Sequence, residues 1–74
     1  PVAKLDLAIP YDRKMDIRVF DLLGQELDVI SNGEIYKSGI HQIPWDGTKY
    51  SSGVYFIKIN DGLDVQVRKM ILMK

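Results

Sequence analysis

Gly53-Val-Tyr-Phe-Ile-Lys-Ile-Asn-Asp-Gly-Leu-Asp-Val-Gln-Val67 holds two strand-like runs separated by an Asp-Gly turn signal, and the way they pair decides the fold. Tyr55, Ile57 and Ile59 fall on one phase of a period-2 pattern, the spacing of a strand with one buried face. Two loop lengths compete. A two-residue turn at Asp61-Gly62 would face Ile57 with Gln66 and Ile59 with Asp64, mixing apolar and polar side chains on one face. A three-residue loop, Asn60-Asp-Gly62, with Gly62 as a left-handed bulge residue, pairs Ile59 with Leu63, Ile57 with Val65 and Tyr55 with Val67, and sets Lys58 against Asp64 on the wet face. The second register is the expected one. It would turn Lys69 inward opposite Gly53, so a β-bulge is expected near Arg68 and Lys69 to return Met70 and Leu72 to the core.

Working outward, the same periodicity recurs. Leu5, Leu7 and Ile9 alternate with Lys4, Asp6 and Ala8, and Met15, Ile17 and Val19 alternate with Asp16, Arg18 and Phe20. Pro10 to Lys14 is a polar, Pro-led connection. Leu22-Leu-Gly24 turns the chain into a third strand, Gln25 to Ile30, with Leu27 and Val29 on one face, and Ser31-Asn-Gly33 ends it. After Gly39, His41, Ile43 and Trp45 share one side of a fourth strand. That strand contains Pro44, which cannot donate to a ladder and so belongs at a sheet edge. About six to seven short strands without a helical stripe describe an all-β chain, a small antiparallel immunoglobulin-like β-sandwich, with a small barrel as the alternative. No internal repeat or low-complexity tract divides residues 1–74, which read as one unit.

Composition narrows the function classes. A chain of 74 residues buries only about 60% of its unfolded surface, which leaves little room for a catalytic cleft. Ten basic and ten acidic side chains cancel, so the electrostatic footprint of a nucleic-acid or anionic-membrane binder is missing. There is no cysteine to supply a disulfide, a thiolate ligand or a nucleophile. Apolar runs extend three or four residues, far short of the roughly 20 that a transmembrane helix needs. Pro1, in place of an initiator methionine, is expected in a piece of a longer chain.

Each residue type with chemical potential has an adequate structural reading. Trp45 alternates with Ile43 and is read as core in preference to a sugar-stacking face. His41 lacks a second His or any Cys, so it is read as a solvent-facing strand residue without metal or base chemistry. Asp46-Gly47 and Asp61-Gly62 lack the alternating carboxylates of a calcium loop and are read as turns. Ser51 and Ser52 with His41 and Asp46 have the residue types of a hydrolytic triad but no nucleophile-elbow context. The expectation is no catalytic residue, no cofactor and no metal.

Val19-Phe-Asp-Leu-Leu-Gly24-Gln-Glu-Leu27 resembles the second strand and turn of the type A C-terminal sorting domains of the bacterial type IX secretion system (the Por secretion-tail family). Gly39-Ile-His41 before Trp45-Asp-Gly47, Ser52-Gly-Val-Tyr-Phe56 and the closing Arg68-Lys-Met-Ile-Leu-Met-Lys74 are similar to the family's remaining motifs in order and spacing. Asp21, Gly24, Gly39, Trp45, Asp46, Gly47 and Gly62 are the motif positions with structural roles. The family's Pro-Asn-Pro lead is reduced to Pro1.

The resemblance implies a cargo-borne address. Such domains follow a cargo domain, fold in the periplasm, meet outer-membrane translocon and sortase components, and bring the cargo to the cell surface or the medium. On this reading Gly53, Val54, Tyr55, Lys69, Met70 and Lys74 are the expected recognition determinants, carried by the Gly-Val-Tyr strand and the signal-bearing terminal strand. The exposed terminal strand would also allow a dimer by strand-edge pairing. Two rival classes are an immunoglobulin-like assembly module of the flagellar hook-capping type and a carbohydrate-binding accessory module. The latter would need Trp45, Tyr50, Tyr36 or Phe20 as exposed stacking faces.

Overall fold

The alternating runs at the start of the chain form the first and second of six antiparallel strands in the computed structural model, which describes residues 2–74. The strands are β1 (Val2–Ile9), β2 (Arg13–Phe20), β3 (Glu26–Tyr36), β4 (Gly39–Asp46), β5 (Gly53–Asn60) and β6 (Val65–Leu72). β1 pairs with β4 in a two-stranded sheet, and β3, β2, β5 and β6 lie in that order in a four-stranded sheet. Pro44 stands opposite Lys4 in the two-stranded sheet, where every strand is an edge, as its missing N–H requires. Pro1, expected as the end of the family's lead segment, lies outside the described residues.

The inward phases meet between the sheets. Leu7 and Ile9 of β1, Ile43 and Trp45 of β4, Ile17 and Val19 of β2, Ile57 and Ile59 of β5, and Met70 and Leu72 of β6 form one buried cluster. Ile17 faces Ile59 and Val19 faces Ile57 across the central ladder, where full burial contributes about 1.5–3 kcal/mol per side chain. Only Ser31 is a buried polar residue among those described, and its hydroxyl donates to the Met15 carbonyl at 2.8 Å.

Three expectations are corrected. Ser31-Asn-Gly33 does not end the third strand: β3 runs on to Tyr36. Its pairing with β2 shifts between Met15 and Asp16, between Ile17 and Arg18, and between Val19 and Phe20. Each shift leaves one β3 residue unopposed: Gly33, Ile30 and Leu27. These bulges separate Leu27 from Val29. Leu27 and Ile30 pack on the core, while Val29 is exposed.

The register of the last hairpin is the second correction. Asn60 pairs with Val65, Ile59 with Gln66, Ile57 with Arg68 and Tyr55 with Met70. Asp61 explains why. Its amide donates to the Asp64 carbonyl at 3.1 Å while its carboxylate accepts the amides of Leu63 (2.9 Å) and Asp64 (2.7 Å), closing a tight turn at Gly62-Leu63. Gly62 has φ 89°, the expected left-handed conformation. Leu63, Val65 and Val67 are therefore exposed rather than buried.

The third correction follows from it: the bulge near Arg68 and Lys69 is absent, because pairing runs unbroken from Gly53–Leu72 to Asn60–Val65. Met70 and Leu72 reach the core by direct alternation, and Lys69 faces outward opposite Phe56. Polar Gln66 and Arg68 are tolerated on the inner phase because they lie toward an open end of the sandwich. Gln66 lines a small cleft there with Arg13, Asp61 and Asp64. Arg68 extends its guanidinium to the Asp6 carbonyl at 2.9 Å.

Candidate interaction surface

The end of β4 and the turn after it hold the terminal strand in place. Trp45 is 2% exposed. Its indole lies over Tyr50 (centroids 5.4 Å apart) and edge-on to Tyr55 (5.1 Å), and its Nε1–H donates to Asp28 at 3.1 Å. The Tyr50 hydroxyl donates to the Leu27 carbonyl at 2.9 Å and the Tyr55 hydroxyl to the Ser51 carbonyl at 2.6 Å, so both polar tips are satisfied. A sugar face of the kind the carbohydrate-binding alternative required is not formed by these rings, since Trp45 is buried and Tyr50 stacks on it.

Beyond Trp45, the Asp46 carboxylate accepts both the amide and the hydroxyl of Thr48. These two bonds, the hydroxyl's first, hold the carboxyl below its ordinary value. Gly47 is then pressed against Leu72. A Cβ at position 47 would lie 2.5 Å from Leu72 Cδ2, so only glycine allows this approach. Lys74 completes the clamp: its amide donates to Ser52 Oγ at 3.0 Å and its Nζ to the Thr48 carbonyl at 2.9 Å.

The six nominated residues are brought together on β5, β6 and the segment just after, but they divide between two faces. Gly53 pairs with Leu72, Val54 with Ile71 and Tyr55 with Met70. Tyr55 and Met70 are buried, while half-buried Val54 and exposed Lys69 look outward, and Lys74, exposed beyond the strand, turns its Nζ back to the Thr48 carbonyl. The outward row also includes residues that the sequence reading did not assign to recognition. Phe20, Phe56 and Lys69 lie side by side across three strands, as do Arg18, Lys58 and Val67. Val67 is 62% and Ile71 60% exposed, and the Leu22 and Leu23 side chains project from the adjoining turn. A signal for this face was present. Phe20 and Phe56 sit on the outward phase of strands whose inward phase Ile17, Val19, Ile57 and Ile59 already fill.

The remaining motif residues are turn formers. The Asp21 carboxylate accepts the amides of Leu23 (2.8 Å) and Gln25 (3.0 Å), the Gly24 amide donates to the Asp21 carbonyl at 3.1 Å, and Gly24 has φ 83°. Gly39 opens β4 opposite Ile9. His41 is half-buried on the inner phase beside Leu7, rather than solvent-facing. A ring nitrogen lies 2.6 Å from the Lys37 carbonyl, and the ring meets Tyr36 edge-on.

Charges are distributed unevenly over the strands. β3 carries Glu26, Asp28 and Glu34, whereas residues 65–74 hold Arg68, Lys69 and Lys74 and no acid. Among the described residues none of those three cations is ion-paired, in contrast to Arg18, which bridges Asp16 at 2.7 Å and Glu26 at 3.2 Å. The Arg18 bond pulls the Asp16 carboxyl below its ordinary value. Also among the described residues, no three His, Asp or Glu side chains converge as metal ligands, and no helix is long and apolar enough to cross a membrane.

Residues 3–73 match the family model described as the secretion system C-terminal sorting domain. No curated protein and no solved structure matches the chain.

Proposed function

The chain belongs to the secretion system C-terminal sorting domain family and is a C-terminal sorting signal for type IX secretion, and we propose that it is read as a folded surface displayed by the β5–β6 ladder. Membership implies a preceding cargo, a secretion-machinery partner, and export of the cargo to the cell surface or the medium. The observation that carries the reading is the continuous match through the terminal strand, together with the clamp that fixes this strand in one register.

On this proposal the six nominated residues have two kinds of role. Val54 and Lys69 meet the partner directly, and Lys74, through Ser52 and Thr48, holds the end of the terminal strand in place. Gly53, Tyr55 and Met70 set the ladder and the core that hold them there. The partner is the outer-membrane translocon, reached from the periplasm, with a sortase acting afterwards, and residues 1–74 serve as one unit. The domain works by being bound, without turning over a substrate. The shallow outer face and the turn-forming roles of Asp46 and Asp61 support that reading.

The test is localisation of a fluorescent reporter that carries a periplasmic export signal and this segment with its upstream lead. The hosts are a bacterium with a working type IX system and its translocon-deficient mutant. Delivery to the surface or medium in the competent host alone is the expected result. Retention in the periplasm of both, with the domain shown to be folded, would overturn it.

A further inference from the structure

The two edges of the four-stranded sheet are built differently. β3, at one side, is interrupted by three register shifts and carries three acids. Bulges and charges of this kind are the devices by which proteins blunt an edge against a further strand. β6, at the other side, has eight residues, no proline and no register shift, and among the described residues its backbone ladder is with β5 alone. Its outward side chains are Val65, Val67, Lys69 and Ile71, an apolar row with one cation in it.

Resting on the reading of this ladder as the recognised surface, we infer that β6 is a docking edge. It accepts an extended, mainly apolar segment of the partner protein as a fifth strand, and that segment carries an acidic side chain on each of its two faces.

The physical argument has two parts. An edge without a bulge or a proline presents unpaired N–H and C=O groups, and an added strand satisfies them while flanking side chains supply specificity. Charge then selects the occupant. Arg68 on the inner phase has only neutral acceptors, the Asp6 carbonyl and the Gln66 side-chain oxygen, and Lys69 on the outer phase has no hydrogen-bond or ion-pair partner among the described residues. Both faces of an incoming strand would therefore meet a cation that lacks a carboxylate. A second copy of this chain is a poor occupant, because two-fold β6–β6 pairing centred on Lys69 sets that side chain against Lys69 of the other copy, and like charges directly opposite are destabilising.

The probe is a short blocked peptide of alternating valine and threonine with a central glutamate on each face, compared with a sibling that has lysine at those two places. Fluorescence anisotropy measures affinity, and hydrogen exchange locates the bound segment. The expected result is slowed exchange in β6 but not in β3, with the glutamate peptide bound about tenfold more tightly at low salt. Lys69→Glu, at an exposed position, should abolish most of the preference, since Arg68 still favours glutamate on the other face, while leaving thermal unfolding in place. Equal affinity for the two peptides, or protection mapping to β3 or the loops, would overturn the inference. So would a concentration-dependent dimer that occupies β6. The reporter assay separates this from the underlying reading. Delivery of wild type and Lys69→Glu alike would sink the docking edge and leave the sorting surface standing. Failure of the wild-type reporter would sink the sorting surface, with the peptide measurements still deciding the docking edge.

Discussion

Gly47→Ala tests the clamp on the terminal strand, because two effects of opposite sign compete there. Replacing glycine by alanine in a compatible backbone stabilises by about 0.4–1 kcal/mol through the unfolded chain. At position 47 the new methyl would lie 2.5 and 2.6 Å from the two Leu72 Cδ atoms, so Leu72, 1% exposed, would have to shift within the packed core. Overpacking of this kind costs about 1–3 kcal/mol, so the middle of the two ranges leaves a net loss near 1.3 kcal/mol. Leu72→Val removes the colliding atoms for about 1 kcal/mol of its own. In that background Gly47→Ala should be neutral or mildly stabilising, giving a coupling energy of roughly 1.5–2 kcal/mol in the double-mutant cycle. Urea unfolding followed by the fluorescence of Trp45, the single tryptophan, reads it directly. With a slope of about 1 kcal/mol/M, the wild-type midpoint should fall by more than 1 M on Gly47→Ala. An equal loss in both backgrounds would refute the argument, since the penalty would then not arise from Leu72.

Three further outcomes are expected. Trp45→Ala deletes the centre of the Tyr50–Trp45–Tyr55 cluster and should cost about 3–5 kcal/mol against a total near 4–6 kcal/mol for a chain this size, so calorimetry should find a marginal domain, with about 1 kcal/mol left and a melt far below that of the wild type. Ser31→Ala leaves the Met15 carbonyl without its buried donor and should lower stability by about 1 kcal/mol in the same urea assay. The carboxyls of Asp12, Asp16, Asp46 and Asp61 all lie below their ordinary values in the folded chain, Asp61 chiefly through the amides of Leu63 and Asp64. Since folding lowers these values, their stabilisation is present above the unfolded carboxylate range. It fades as pH falls below about 4 and through the folded values. Asp61→Asn keeps an oxygen acceptor for the turn but removes one titrating charge, so its urea midpoint should fall less between pH 5 and pH 3 than that of the wild type.

The inward residues of β1, β2, β4 and β5 were legible because their alternation is clean: Leu7 and Ile9, Ile17 and Val19, Ile43 and Trp45, and Ile57 and Ile59 all face the core. The turn closed by Asp21 with Gly24 and the left-handed conformation of Gly62 were legible from local turn chemistry, whereas the residues spanned by the last turn, Gly62-Leu63, were not. The register of β6 was not. Val65 and Val67 lie on one phase and Met70 and Leu72 on the other, so either the first pair or the second faces inward unless a bulge intervenes. Minimising polar residues inside favoured the bulge. The folded chain instead places Gln66 and Arg68 on the inner phase near an open end, where a long side chain still reaches a carbonyl or solvent. In β3 the bulges at Leu27, Ile30 and Gly33 depend on pairing with β2, which local pattern does not encode.

The outer face was the less visible part of the candidate site, and the reason bears on how the signal works. Its apolar and basic residues become one surface only when β2, β5 and β6 are side by side in this register: Phe20 beside Phe56 beside Lys69, and Val54 beside Ile71. A slip of one residue in β6 would exchange Lys69 with Met70 between the faces and would pull Leu72 off Gly47. Packing at Gly47 therefore checks the register on which the display of Lys69 and Ile71 depends. A surface with that dependence distinguishes a folded domain from an unfolded chain of the same sequence. Gly47→Ala, which acts through Leu72 on the inside, should accordingly weaken delivery of the reporter in proportion to the fraction of domain it unfolds, whereas Lys69→Glu should weaken delivery with the fold intact. If Gly47→Ala left delivery unchanged at a temperature where urea unfolding shows it mostly unfolded, the signal would be a linear one and the folded-surface reading would fall.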